Sequence, residues 1–363
     1  YRLARQWYDA RTALFAAAIA SWNPVFIAYA KQPMSDMLAT MWIALGLWMS
    51  QRRSVASAVI AGAAAGAALA TRPVLILAGA VIVWLCRRSD APRSRILVAG
   101  ATFAACVIAQ MALQNHLFGS PFSTGYGGAA NLFAFSHLVD NLKIYGSNIW
   151  SALGVLWIIG LFIGLIAARP EPRGNPALIF GAVTLPYLFY LPFDHWETLR
   201  FLMPGLVPLS VLVADGWGHI SRLRKASIVA ASIICAFMTI TVWQSTTLLR
   251  QGSVWEVASL EARYPLAGEW INVNTPANAI VLANQHSGSL RWYGKRQTLR
   301  WDFIDPQQLT TTVRELQSHG ATIYVALEGD EVQMFNARFA AEMNLLQIDP
   351  VGRVRNVSFL RIK

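Results

Sequence analysis

The sequence predicts a polytopic α-helical membrane protein of about nine membrane segments, followed by a small α/β domain. Three observations predict it. Only 13% of the 363 residues are charged and 55% are apolar, whereas a soluble globular domain carries about 25% charged residues. The apolar residues gather into runs that approach the roughly 20 residues a spanning helix needs. Beyond residue 250 the composition changes, and strand-like pieces alternate with helix-like ones.

The expected segments cover residues 11–30, 33–50, 55–71, 73–86, 96–116, 147–168, 176–193, 201–217 and 226–246. The third and fourth form one apolar run of some 30 residues broken at Thr71-Arg72-Pro73. As one helix it would be about 45 Å long, too long for a core of about 30 Å. Proline also disfavours helix at the residue before it, so two short helices are expected.

Loop charge tests that choice. With two helices, the basic clusters Arg2/Arg5, Arg52/Arg53, Arg87/Arg88/Arg93/Arg95, Arg169/Arg173 and Arg222/Arg224/Lys225 share one side. The other side holds only Lys31, Arg72, Lys143 and Arg200. Basic residues concentrate in cytoplasmic loops. Tyr1 is therefore expected on the cytoplasmic side and the tail outside the cytoplasm. Residues 1–249 form the helical domain and 250–363 the extracytoplasmic α/β domain in this reading.

In the tail, helix-like runs are expected at 255–274, 306–319 and 331–346, with strands at 279–283, 298–301, 322–327 and 356–362. No Gly-rich phosphate loop is present. Gln285-His286-Ser287-Gly288 follows a strand but lacks the glycine pattern of a nucleophile elbow, and is expected to be a structural turn. Asn356-Val357-Ser358 is a formal glycosylation sequon inside an expected strand.

The net charge of +11 belongs largely to the short loops. No tract mixes Lys and Arg with stacking aromatics on a soluble surface, which excludes nucleic acid as a partner. Cys86, Cys106 and Cys235 lie in or beside apolar runs without metal-ligand spacing. The chain opens at Tyr1 with no signal-peptide core, and is expected to begin inside a longer protein.

The candidate functional residues lie in the expected extracytoplasmic loops. They are Lys31 and Asp36, with Ser35, in the first loop, and Arg72 in the second. The third runs from 115 to 146 and holds His116 and Tyr126. The fourth holds Asp194, His195, Glu197 and Arg200. An ionisable group at the margin of a spanning helix is costly and marks a functional site. Asp36 reads either as a helix cap favouring the positive end of the dipole, or as a general base or substrate ligand. Arg72 reads as a snorkelling side chain or a site cation, and Lys31 as an interfacial lysine or a ligand. The fourth loop reads as a solvated loop or a phosphate or sugar site with Arg200 as its clamp.

At these loops the chain resembles the GT-C superfamily of membrane glycosyltransferases, in the bacterial branch similar to protein O-mannosyltransferases and aminoarabinose transferases. The stretches that carry the resemblance are Asn23-Pro24, Gln32-Pro33-Met34-Ser35-Asp36, Ala61-Gly62…Gly66, Thr71-Arg72-Pro73, Phe118-Gly119-Ser120-Pro121…Gly125-Tyr126-Gly127 and Arg200-Phe201-Leu202-Met203-Pro204. Each is short; their order and loop placement make the case, over roughly residues 1–217. The resemblance implies a bacterial inner-membrane enzyme that moves a sugar, with inversion, from a polyprenyl phosphate to a hydroxyl of a glycan, lipid or protein acceptor. It implies Asp36 as catalytic carboxylate, and Lys31, Arg72, His116, Tyr126, Asp194, His195, Glu197 and Arg200 as ligands of substrate and lipid phosphate. Nothing corresponds to the family's main catalytic carboxylate, which lies after its first span; Asp36 matches the second acidic position. No cofactor is required by the sequence, and a divalent cation on Asp36 with Asp194 or Glu197 stays open. The competing readings are a secondary transporter, which would show paired hydropathy repeats and mid-bilayer charges, and a non-catalytic partner in envelope assembly.

Overall fold

Proline, glycine and small polar residues set where the helices of the first 254 residues stop. The computed structural model describes residues 1–363 apart from Pro33, 88–91, 125–126, 129–131, 168–169, Asp194 and 224–226. The chain divides into two compact units, Tyr1–Val254 and Trp255–Lys363.

In the first unit a short α1 (Ala4–Trp7) precedes α2 (Ala10–Ser21), capped by Asp9, whose carboxylate accepts from Thr12 N at 2.9 Å. The first expected segment is not one straight helix. It stops at Ser21 and resumes as α3 (Pro24–Ala30) after a bend of 61°. Asn23 causes the restart: its Oδ1 caps Val25 N at 3.0 Å, and Pro24 occupies the first turn, where its missing N–H costs nothing. Then follow α4 (Ser35–Ser50), α5 (Val55–Thr71) and α6 (Ile76–Leu85). The long run does break at Arg72, which is extended (φ −146°, ψ 102°) ahead of Pro73.

The α7 helix (Ser94–Phe118) ends at Gly119, whose φ of +72° suits glycine. A minimal hairpin of β1 (Ser123–Thr124) and β2 (Gly127–Gly128) follows. The next segment, α8 (Leu138–Ala167), begins nine residues earlier than the sequence indicates and is interrupted at Gly154, with φ +81°. There Gln244 fills the space a Cβ would take, its Oε1 2.3 Å from that position, and Gln244 Nε2 donates to Ser151 O at 3.1 Å. Finally come α9 (Pro170–Tyr187), a 3-10 turn at Trp196–Leu202, α10 (Met203–Leu223) and α11 (Ser227–Gln251).

Among the described residues, four helices are long and apolar enough to cross a membrane, or five if the bent α2–α3 pair counts as one span. The shorter α5 and α6 do not reach that length alone. The unit is thus a helical membrane bundle, and nine spans are not established by length. The 3-10 turn and α10 are enclosed by the other helices, whereas α7 shows most of its surface outward. Close approaches depend on glycine: a Cβ on Gly164 would sit 2.1 Å from Leu212 O, and one on Gly216 2.0 Å from Gly160 O. Small residues let helix backbones touch in this way. Arg95 corrects the loop-charge picture, because it is wholly buried and donates to Ser50 O, Ser54 O and Cys86 O. It satisfies helix-end carbonyls rather than facing solvent.

The second unit is α/β. A five-stranded sheet has the order β4-β3-β5-β7-β6, from β3 (Ala279–Ala283), β4 (Gln297–Leu299), β5 (Thr322–Glu328), β6 (Ile348–Val354) and β7 (Val357–Ile362). β3 is parallel to β4 and β5, and β7 is antiparallel to β5 and β6. Alternate residues feed two cores: Ile323 and Val325 pack with Trp301 and Phe335, and Tyr324 and Ala326 with Ile271 and Leu290. The β6 strand was not expected from sequence. Pro350 and Gly352 are residues that central strands exclude, and both are accommodated here on an edge strand at a register shift.

Candidate functional site

The break at Arg72 aims its guanidinium across the start of α4. Arg72 Nη2 lies 2.7 Å from Asp36 Oδ1, Nη1 donates to Tyr187 OH at 3.1 Å, and Nε donates to Ser35 Oγ at 3.3 Å. The Asp36 side chain is 1% exposed and that of Arg72 17%. Asp36 sits in the first turn of α4, as a cap would, but neither carboxylate oxygen accepts a well-directed hydrogen bond. The contact with Arg72 is an ion pair at short range, and its remaining lone pairs are unused. A buried carboxylate in that condition is expensive. Its backbone carbonyl accepts from Thr40 Oγ1 at 2.7 Å, which fixes the turn.

Aromatic rings line the same place. Tyr187 stacks on Phe201 with centroids 5.0 Å apart and planes at 11°. Two guanidiniums contact the Phe201 ring, Arg72 at 5.2 Å and Arg200 at 5.0 Å, and Arg200 also lies 5.6 Å from the Tyr29 ring. Arg200 Nη1 donates to Met34 Sδ at 3.2 Å, a weak acceptor. Among the described residues Arg200 has no carboxylate within ion-pair distance.

The sequence-selected residues divide. The fold brings Asp36, Arg72 and Arg200 together. Glu197 joins through its backbone, its carbonyl accepting from Tyr29 OH at 3.3 Å, while its side chain is exposed. His195 is exposed and contributes its carbonyl to Thr198 and Asn148. Lys31 Nζ donates to Val254 O at 3.5 Å. His116 does not open a loop as expected; α7 continues through it to Phe118, and it is exposed on the last turn. Tyr126 and Asp194 lie outside the described residues. No three His, Cys, Asp or Glu side chains converge to hold a metal ion among the described residues. Tyr29, Tyr187 and Phe201 escaped the sequence reading, since aromatics at helix ends look like ordinary packing residues. Only the Arg200-Phe201 adjacency hinted at them.

In the second unit, the turn after β3 is internally satisfied. His286 is wholly buried, with Nε2 2.9 Å from Glu328 Oε2, and Glu331 accepts from both Gln285 N and Glu328 N. These contacts tie together the ends of β3 and β5.

No protein-family model matches the chain, and no curated protein matches it by sequence. Its fold is similar to that of ArnT from Cupriavidus metallidurans, in a crystal structure bound to undecaprenyl phosphate. The match covers 99% of this chain and 80% of that one, with a TM-score of 0.53 and 13% identity. The helical bundle with an α/β tail expected from sequence is therefore observed as an ArnT-like fold.

Proposed function

We propose that the chain is an integral-membrane glycosyltransferase that takes its sugar from a polyprenyl phosphate, with the site around Asp36, Arg72 and Arg200. One observation carries the reading. A buried carboxylate with unused lone pairs faces one guanidinium, a second guanidinium shares its aromatic wall, and the fold resembles a protein solved with undecaprenyl phosphate. The acceptor hydroxyl attacks the anomeric carbon, the carbon–oxygen bond to phosphate breaks, and the phosphate leaves with the electron pair. Arg200 and Arg72 stabilise that charge in a site of low dielectric. As Arg72 shares its donors with the phosphate, the Asp36 carboxylate is released to accept the hydroxyl proton. Lys31, His116, Tyr126, Asp194, His195 and Glu197 are kept as proposed ligands of donor and acceptor. In this reading the membrane is the bacterial inner membrane, the bundle spans it nine times with the shorter helices included, and the second unit lies outside the cytoplasm.

The test uses the purified chain and undecaprenyl phosphate. Arg200→Ala is expected to weaken binding about 10- to 100-fold, the equivalent of one charge-assisted hydrogen bond of about 1.5–3 kcal/mol. Unchanged affinity removes its role. Asp36→Asn is expected to keep phosphate binding and lose release of polyprenyl phosphate from a sugar-loaded donor. Normal turnover by a folded Asp36→Asn protein overturns the assignment.

A further inference from the structure

We infer that the opposite end of α4 carries a second site, for the headgroup of an anionic phospholipid. An open pocket of about 350 Å³ is lined by Tyr1, Arg2, Arg5, Gln6, Trp48 and Arg52, within the size range of small-ligand sites. Trp48 lies twelve residues along α4 from Asp36, about 18 Å at 1.5 Å per residue. The pocket is therefore separate from the Asp36–Arg72 site, near the other end of the helix.

The pocket is built for an anion at a membrane surface. Arg2 and Arg52 both lie against the Trp48 ring, their guanidinium carbons 5.6 and 5.0 Å from its centroid. Gln6 orients that ring: with its amide placed to satisfy both partners, it accepts from Trp48 Nε1 and donates to Trp48 O, each at 3.2 Å. Arg5 Nη1 reaches Tyr8 O at 3.2 Å, and the neighbouring Leu3 and Ala4 are buried, which anchors this segment to the bundle. All three arginines are exposed, and among the described residues none is paired with a carboxylate. Guanidinium forks match phosphate oxygens, and a tryptophan at a helix end marks headgroup level. Basic pockets between membrane helices bind anionic headgroups. Three like charges sharing a cavity repel one another, and a phosphodiester relieves that repulsion while its acyl chains remain beside the apolar helices. The inference rests on the bundle being membrane-embedded and is independent of the transferase reading.

Native mass spectrometry of the full chain in detergent tests it, with phosphatidylglycerol, phosphatidylcholine and inorganic phosphate as probes. One phosphatidylglycerol is expected to be retained per chain, with phosphatidylcholine held at least tenfold more weakly. The triple variant Arg2→Gln/Arg5→Gln/Arg52→Gln is expected to lose that preference while keeping its binding of undecaprenyl phosphate. Trp48→Leu, which leaves the arginines, is expected to lose part of it. Equal retention of the two lipids, or an unchanged preference in the triple variant, overturns the site. Competition by millimolar inorganic phosphate overturns the lipid assignment in favour of a free-phosphate site.

Discussion

Removing Arg72 is expected to destabilise the bundle far more than neutralising its partner. The pair lies at 2.7 Å with Asp36 1% exposed. With charge centres about 4 Å apart and an effective dielectric of about 20, the attraction is about 4 kcal/mol. Arg72→Met leaves a buried carboxylate without its ion-pair partner and with two oxygens lacking hydrogen bonds, Arg200 being the remaining nearby cation. Breaking a buried pair from one side costs about 3–5 kcal/mol. Asp36→Asn leaves a guanidinium that still reaches Tyr187, Ser35 and the Phe201 ring, so its cost is about 1–2 kcal/mol. The double variant removes both charges and lets the methionine pack on Phe201. It is expected to cost less than the sum by about 2 kcal/mol, the range found for residues in contact. Equilibrium unfolding by SDS in dodecylmaltoside micelles, followed by far-UV circular dichroism, measures the cycle. Single-variant costs that add to within about 0.5 kcal/mol would refute the coupling.

The glycine contacts make a sharper packing prediction. Gly164→Ala and Gly216→Ala each drive a methyl into backbone and are expected to cost about 1–3 kcal/mol by the same unfolding assay. Gly146→Ala, with nothing within 4 Å of the new methyl, is expected to be neutral or to stabilise by about 0.5–1 kcal/mol; equal losses at all three positions would contradict the packing. In the second unit, buried Arg296 donates to Thr275 O, Asn272 O and Gly294 O. Arg296→Lys cannot span them, so hydrogen exchange at residues 272–275 is expected to rise; protection at the wild-type level would dismiss its role as a pin. Gln307→Cys in a cysteine-free background, at an exposed position, is expected to react with an impermeant maleimide in intact cells. Labelling only after lysis would reverse the proposed orientation.

Much of the fold was legible because it follows local rules. Thr71-Arg72-Pro73 announced a helix break through proline sterics, and the break is there. The strand at 279–283 was readable from a β-branched apolar run before a turn and appears with those limits. Other features depended on partners far along the chain. The interruption at Gly154 is one glycine in an apolar run, and only the Gln244 side chain from α11 makes sense of it. The bend after Trp22 is set by the Asn23 cap and Pro24, which a hydropathy profile over residues 11–30 does not register. Arg95 counted as a loop charge because its sequence neighbours are basic, whereas its acceptors come from the ends of α4 and α6 and the cap of α5.

For the site the division is similar. The sequence by itself determined that Asp36, Arg72 and Arg200 stand at the margins of apolar segments, because the cost of burying charge shows in one dimension. It also determined the helical bundle and the α/β tail, through hydropathy and periodicity. Only the tertiary structure decided that those three side chains meet, and that Tyr29, Tyr187 and Phe201 form their wall. Convergence of groups 36 and 128 residues apart is set by how α3, α4, α5, α9 and the 3-10 turn pack. Packing is a property of summed side-chain contacts that no local stretch of sequence contains.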